Sequence, residues 1–260
     1  MSQGAIGRST PRIDVTESGR AIRAFDLLLA SLLGLVSLPI VVIVAIAIKI
    51  DSRGPVFFRA RRVGRDGSTF AMLKFRKMRA DATGAPLTVA ADARLTRVGA
   101  YLTRLKLDEL PQLWNVVTGE MSMVGPRPED PRFVALEEDA YETILAVPPG
   151  ITGLSQLAFA KEATILDPSD CTGDYLRRVL PAKLRLDRMY VEERSLMLNL
   201  RILLWTAVAV VVGRDVAVHR GMLRFNVRRR LEALQPEPSA ESVEEASEEP
   251  STHVALAAVS

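Results

Sequence analysis

The hydrophobic pattern opens with one continuous apolar run. Leu27 to Ile48 holds 22 residues without a charge, bounded by Arg23 and Asp26 before it and by Lys49 and Asp51 after it. As a single helix it would reach about 33 Å, enough to cross a hydrocarbon core. A simple spanning anchor is one reading, but two features argue for another path. Pro39, near the middle, deletes an amide donor and clashes with the preceding turn, so the helix should kink or break there. Both flanks are basic: Arg8, Arg12, Arg20 and Arg23 precede the run, and Lys49, Arg53, Arg59, Arg61, Arg62 and Arg65 follow it. The positive-inside rule then places both ends in the cytoplasm. A helix that enters the membrane, bends at Pro39 and returns to the same face satisfies both observations. A cleaved signal peptide fits poorly, because the run is too long and no clear small-residue cleavage site follows it.

Beyond this run the periodicity changes. PVFFRARRVGRDGSTFAMLKFRKM contains two β-leaning runs separated by Asp66 and Gly67, a hairpin whose Arg and Lys side chains would crowd one surface. Residues 80 to 93, rich in Ala, Asp, Thr, Gly and Pro, read as a loop. Leu95, Val98, Leu102 and Leu105 keep helical spacing and predict a surface helix with Arg97 and Arg104 outward. A second helix is predicted from Asp108 to near Gly119, with Leu110, Leu113, Val116 and Val117 as its buried stripe. Pro111 is tolerated only in a first turn, which sets the start close to Asp108. Leu196 to Val212 is apolar but interrupted by Asn199 and Arg201. It reads equally as a core helix or as an interfacial helix beside the amphipathic AKLRLDRMYVEERSL. Past Arg230 the chain is Pro, Ser, Glu and Ala, which predicts a disordered tail.

Composition sharpens this picture. Apolar residues make up 48% of the chain and aromatics only 5%, which suits contact with lipid. Residues 231 to 260 carry seven Glu and no Lys or Arg, so residues 1 to 230 hold 34 basic against 24 acidic residues, a surplus of +10. That surplus suits an anionic partner, whether nucleic acid, a phosphorylated substrate or the acidic cytoplasmic leaflet. Cys171 is alone, so nothing requires an oxidising compartment, and with only His219 and His253 near the end, imidazole catalysis and His-rich metal sites are disfavoured.

The candidate chemistry lies in three places. Asp108 and Glu109 stand together at a predicted helix start. Capping and the helix dipole favour acidic residues there on their own account. The same place also offers free amides that attract phosphate, two carboxylates able to hold a Mg²⁺ that bridges diphosphate oxygens, and an ionised Asp that can attack phosphorus without a general base. KFRKM brings Lys74, Arg76, Lys77 and Arg79, read either as the wet face of a strand or as a phosphate-binding segment. In VGPRPED, Pro126 and Pro128 stiffen the backbone around Arg127 and limit the entropy lost on fixing its guanidinium, which suits a phosphate fork. Nothing in the chain resembles a Walker loop, a Rossmann glycine fingerprint or a zinc site.

Taken in order behind the apolar segment, SRGPVFFRARRVG, KFRKM, DELPQLWNVVTGEMSMVGPRP and PGITGLSQL resemble the bacterial sugar transferases known as monotopic phosphoglycosyl transferases, over about Phe25 to Val212. The resemblance implies that Asp108 is a covalent nucleophile, that Glu109 with Asp108 binds Mg²⁺, and that Lys74 and Arg127, with Arg76 of the same KFRKM segment, hold phosphates. It implies that Asp26, thirteen residues before Pro39, supports the break in a re-entrant helix, and that Ser37 lies beside the break, one place back from the family's usual serine because Leu38 intervenes. Ser155 stands where the family commonly has Trp, Pro148 where a basic residue often precedes the PGITG motif, and Glu120 where it usually has Asp; Ser155 and Pro148 are expected near the substrate face.

The implied reaction moves a sugar 1-phosphate from a UDP-sugar to polyprenyl (undecaprenyl) phosphate through an aspartyl-phosphosugar intermediate, releasing UMP, as the first membrane step of exopolysaccharide, O-antigen or glycoprotein glycan assembly. The expected fold is mainly α, membrane-embedded and monotopic, with a re-entrant helix-break-helix hairpin, amphipathic interfacial helices and a small β-hairpin next to the active site. Its expected organisation is an arm over 1–22, the re-entrant helix over 23–50, a cytosolic catalytic domain with interfacial helices over 51–230 and an acidic disordered tail over 231–260, in the minimal form of the family. The expected location is the cytoplasmic face of the bacterial inner membrane. Expected partners are the UDP-sugar, polyprenyl phosphate and membrane lipids, without nucleic acid, and a homodimer stays open. The alternative from another class is a non-enzymatic membrane-tethered binding or scaffold protein for anionic partners.

Overall fold

A computed structural model describes residues 17–79, 82, 92–160, 162–167, 170–212, 216–219 and 224–227. The predicted tail, most of the arm and nearly all of the predicted loop over 80–93 lie outside the described residues. The elements in chain order are helix α1 (Glu17–Asp51), strands β1 (Phe57–Val63) and β2 (Thr69–Phe75), α2 (Arg97–Leu105), α3 (Gln112–Thr118), β3 (Ser122–Val124), α4 (Pro131–Val134), α5 (Glu138–Ile144), β4 (Gly150–Thr152), α6 (Leu154–Ala158), α7 (Glu162–Ile165), α8 (Cys171–Asp174), a π-helical turn at Tyr175–Val179, α9 (Leu180–Glu192), α10 (Leu196–Val212), β5 (Val216–His219) and β6 (Arg224–Val227). The molecule is mainly helical, as expected, with three small two-stranded sheets: antiparallel β1-β2, parallel β3-β4 and antiparallel β5-β6.

The apolar run forms a single uninterrupted helix with Pro39 inside it. Of the kink or break expected at Pro39, a break is absent: the helical turns continue, although proline leaves the carbonyl of Leu35 without its usual amide partner. The Ser37 hydroxyl donates to the Gly34 carbonyl at 3.1 Å, one turn before the proline. Along the middle of α1, Leu32, Leu33, Leu35, Val36, Leu38, Ile40, Val42 and Ile43 are all exposed. Its two ends are held by the same protein body. At one end Arg23 donates to the carbonyls of Val116 at 2.6 Å and Val117 at 3.0 Å, covering the C-terminal end of α3. Asp26 accepts from the Ser122 hydroxyl at 2.7 Å and the Met123 amide at 3.1 Å. At the other end Val44 and Ile48 pack with Phe75 and Leu102, and Asp51 accepts the Val98 amide at the start of α2.

The β1-β2 hairpin forms where Asp66 and Gly67 predicted it, and both residues adopt positive φ in the turn. Ala60, Val63, Met72 and Phe75 turn inward. On the neighbouring α2, Thr96 caps the helix by accepting the Gly99 amide, and Arg97 and Arg104 face outward as expected. Leu105 departs from the predicted stripe and is exposed. Gly99 itself is needed for close approach: a Cβ there would overlap the backbone carbonyl of Lys77.

The α9 segment, predicted as an amphipathic partner, buries Leu180, Leu184, Leu186, Tyr190 and Val191 in the core and leaves Arg185 and Arg188 exposed. The Tyr190 hydroxyl donates to the Val124 carbonyl at 2.9 Å and ties α9 to β3. Helix α10 divides its faces between the core and the surface. Leu198, Asn199 and Ile202 face the core, while Leu196, Met197, Leu200 and Leu204 present an exposed apolar stripe.

A buried polar network crosses this core. The Tyr175 hydroxyl donates to Glu129 at 2.5 Å, Lys183 pairs with Glu162 at 2.5 Å, and the Lys183 ammonium lies 4.8 Å from the Tyr175 ring centroid. Nearby, Asp187 lies against the Ser155 hydroxyl and the Arg127 backbone amide. Its Oδ1 is buried without a hydrogen-bond partner, an environment far more costly for an ion than for a neutral acid. Burial pushes the Asp187 carboxyl up to about 7, against the pull of Ser155 and Lys183.

Two outcomes follow from this architecture. Because the folded-state value of Asp187 is raised, its favourable contribution to stability is complete below its unfolded value near 3.8 and is lost as pH rises toward 7. The span corresponds to a contribution on the order of 4 kcal/mol. Asp187→Asn should flatten this fall, so detergent-solubilised variant and wild type should differ in melting temperature by an amount that changes between pH 4 and pH 7. A pH-independent difference would contradict the assignment. Gly99→Ala should cost roughly 1–3 kcal/mol despite alanine's better helix propensity, because the overlap forces α2 away from Lys77. Thermal melting of the purified variant measures this loss.

Candidate active site

Asp108 and Glu109 occupy a 3-10 turn, Leu107–Glu109, between α2 and α3. Lys106 precedes it in the left-handed region, φ 58° and ψ 18°, and turns the chain out of α2. The expected helix start is thereby corrected: α3 begins at Gln112, with Pro111 before it, so Asp108 lies upstream of that helix and not at its amide tip. The proline and the acidic pair cannot share one first turn, because the 3-10 turn already uses the Asp-Glu residues.

The Asp108 side chain is only 4% exposed, but it does not sit in an apolar interior. Its Oδ2 faces Lys77 Nζ at 3.5 Å. Glu109 Oε1 lies 3.0 Å from Lys74 Nζ and 3.6 Å from Arg127 Nη2. The structure thus brings together Asp108, Glu109, Lys74 and Arg127, four of the residues singled out from sequence. Burial pushes Glu109 up, but Lys74 and Arg127 outweigh it and hold the carboxyl well below the usual carboxylate range. Burial lowers Lys74, opposed by Glu109. Burial also pulls Arg127 down, but Glu109, Glu162 and Glu129 outweigh it, so the guanidinium is held more firmly charged than usual. Arg127 therefore stands between the acidic pair and the buried network beneath it.

The remaining predicted residues lie elsewhere. Arg76 is buried and turned away, donating to the Arg53 carbonyl at 2.5 Å and to the Ser52 carbonyl and hydroxyl at 2.8 and 2.9 Å. It closes the C-terminal end of α1 and does not join the cluster, its guanidinium being taken up by the chain just past that helix. Asp26 is committed to Ser122 and Met123 and makes no contact with the Pro39 turn. Ser155, expected near the substrate face, is fully buried against Asp187, behind Arg127.

Two residues in the arrangement were not assigned to the site from sequence. Lys77, seen only as part of KFRKM, is the partner of Asp108. Asn115 accepts the Leu73 amide at 2.9 Å and donates to the Ala71 carbonyl at 2.9 Å and to Glu120 at 2.7 Å. Its fully used amide fixes α3 against β2 and so holds the acidic turn next to Lys74. The available signal was a polar Asn between Leu113 and Val116 on the buried side of a short helix.

Among the described residues no group of three or more His, Cys, Asp or Glu side chains converges. An all-protein metal cage is therefore not the relevant geometry. Mg²⁺ is commonly held by one or two carboxylates, with substrate phosphates and water completing the shell. The adjacent Asp108 and Glu109 fit that donor set.

The sequence model of the family described as "Bacterial sugar transferase" matches residues 18–213. The chain is 40% identical over 202 residues to the "Undecaprenyl-phosphate glucose phosphotransferase" of Komagataeibacter xylinus, covering 74% of this chain and 36% of that protein. It is 37% identical over 192 residues to the "UDP-glucose:undecaprenyl-phosphate glucose-1-phosphate transferase" of Escherichia coli (strain K12), covering 71% and 39%. It is 38% identical over 196 residues to the "Exopolysaccharide production protein PSS" of Rhizobium leguminosarum bv. phaseoli, covering 72% and 93%. The chain thus spans less than half the length of the first two relatives and nearly all of the third. With the acidic pair and its cations falling inside the matched segment, the chain belongs to the bacterial sugar transferase family.

Proposed function

We propose that this chain transfers a sugar 1-phosphate from a UDP-sugar to polyprenyl phosphate through a covalent intermediate on Asp108. The observation that carries the reading is the Asp108 carboxylate itself, nearly closed off from water, faced by Lys77 and flanked by a Glu109 held between Lys74 and Arg127. An Asp108 oxygen attacks the β-phosphorus of the donor. The bond from that phosphorus to the oxygen shared with UMP breaks, its electron pair leaves with UMP, and the phosphosugar remains on the carboxylate. A phosphate oxygen of the lipid acceptor then attacks the same phosphorus and releases the carboxylate. Neither step requires a proton to be moved. Lys74 and Arg127 are placed to bind and orient the donor's diphosphate in a site where fixed cations act with little screening. Mg²⁺ held by Asp108 and Glu109 together with diphosphate oxygens would offset further charge on the leaving phosphate.

The membrane side of the reading rests on α1. Its exposed apolar middle needs lipid, and its two ends are bound to one polar body through Arg23 and Asp26 at one end and Asp51 and Ile48 at the other. A helix whose two ends serve the same body enters and leaves by the same face, bending about Pro39, with the body on the cytoplasmic side of the bacterial inner membrane. The exposed stripe of α10 would lie at the lipid boundary. There the enzyme meets a cytosolic nucleotide sugar and a lipid phosphate at the headgroup plane. Two relatives are named for glucose and undecaprenyl phosphate, which makes UDP-glucose the first donor to test.

Purified full-length protein with UDP-glucose, undecaprenyl phosphate and Mg²⁺ should release UMP, and a panel of other UDP-sugars should define the donor. Asp108→Asn should lower UMP release by at least about 1,000-fold while leaving membrane insertion intact, and EDTA should suppress the wild-type reaction. Undiminished release from the Asp108 variant would refute the nucleophile. In sealed inside-out vesicles, single cysteines introduced at Arg20 and Arg53 in a Cys171→Ser background should both react with an impermeant maleimide. Protection of one of them would establish a spanning helix instead.

A further inference from the structure

The proposed reaction assigns no work to Lys77, although its ammonium is the group that faces the nucleophile. Its environment shows how it is placed. Residues 77 to 79 run as an extension of β2 against residues 94 to 96: the Thr96 amide donates to the Lys77 carbonyl at 3.0 Å, Met78 bridges Leu95, and the Arg79 amide donates to the Arg94 carbonyl at 3.0 Å. Gly99 closes on the Lys77 backbone with no room for a side chain. The start of the lysine is therefore fixed on both sides, and its side chain, 22% exposed, reaches Asp108 Oδ2 at 3.5 Å. The other cations near the turn are engaged differently, because Lys74 and Arg127 both meet Glu109.

Resting on the reading of Asp108 as nucleophile, we infer that Lys77 is a catalytic residue that follows the negative charge from the Asp108 carboxylate to the phosphoryl oxygens of the covalent intermediate and back. Before reaction one negative charge resides on the carboxylate and two on the donor diphosphate. When the Asp108–phosphorus bond forms and the bond to the UMP oxygen breaks, the carboxylate loses its charge by esterification. The phosphodiester on Asp108 then carries one negative charge and UMP carries two, so charge is conserved. The charge formerly opposite Lys77 now sits on non-bridging oxygens attached to the carboxylate oxygen that Lys77 faced. A long, flexible ammonium with three donors can move that distance without moving its backbone. In the second step the lipid phosphate brings two negative charges, the Asp108–phosphorus bond breaks, and the carboxylate charge returns to Lys77 while the lipid diphosphate product carries two.

This role makes Lys77 matter to both half-reactions. In full-length protein, Lys77→Met should lower UMP release per folded enzyme by about 100-fold, chiefly through kcat, as for loss of one preorganised charge donor. With donor alone, the variant should also exchange labelled UMP into the UDP-sugar more slowly. Lys77→Arg should restore a large part of both rates. Membrane insertion and melting temperature identify the folded fraction, and Lys77→Gln provides a second neutral variant should the methionine variant fold poorly. If wild type releases UMP and Asp108→Asn does not, but a folded Lys77→Met or Lys77→Gln variant keeps both rates within about threefold of wild type, the inference about Lys77 is overturned while the nucleophile stands. If wild type itself releases no UMP with any donor, the underlying reading fails first.

Discussion

Two acidic side chains on consecutive residues, both largely withdrawn from water, are costly to bury unless cations reach them. Much of the protein body can be understood as the means of supplying those cations to Asp108 and Glu109. None comes from the acidic turn itself. Lys74 arrives from the last residues of β2, Lys77 from the extension beyond it, and Arg127 from the loop after β3. Each route is secured separately: Asn115 locks α3 to β2, Gly99 admits the Lys77 backbone, and Gly125 packs bare backbone against Pro148 and Gly150. Lys74, Lys77 and Arg127 thus bring three cations from separate parts of the chain to the acidic pair.

A second constraint acts through α1. The apolar middle of α1 gains nothing from the protein body, yet polar groups at both of its ends are committed to that body. Arg23 is the most direct link between the two regions. Its guanidinium takes up carbonyls left open at the end of α3, whose other end follows directly on the acidic turn. Arg76 performs the matching service at the far end of α1, and the strand that supplies Lys74 supplies Arg76 as well. The placement of α1 on the body and the position of the acidic turn are in this way linked.

Local signals carried much of this in the sequence. The length and polarity of the apolar run, the Asp66-Gly67 turn and the helical spacing from Val98 to Leu102 are short-range patterns, and each element formed where they indicated. The pairing of Glu109 with Lys74 and Arg127 was legible only because the motif order resembles a known family, as 35 and 18 residues separate these partners along the chain. The failures have physical causes. Arg76 and Lys77 are adjacent just past the end of β2, where the chain leaves regular strand, so the alternation that would group Arg76 with Lys74 no longer decides which of them faces the acidic turn. Pro39 was given its full local penalty, but a helix of about 52 Å can lose one hydrogen bond and remain helical. Asp108 was placed at a helix tip because Pro111 reads as a first-turn residue, and it does lie ahead of α3; the 3-10 turn before it left no sequence mark of its own.

Ser155 shows how a departure from the family pattern can be relocated by structure. From its place after the PGITG motif it was expected at the substrate face, where a change from an aromatic residue would alter sugar contacts. Instead it is fully buried, bonded to Gln156 Oε1 at 3.1 Å and set against Asp187. Asp187 in turn meets the Arg127 backbone amide, so residue 155 reaches Arg127 only through the interior. A small side chain there leaves room for α6 to approach α9. The departure at residue 155 is therefore felt inside the core, through Asp187 and the Arg127 backbone.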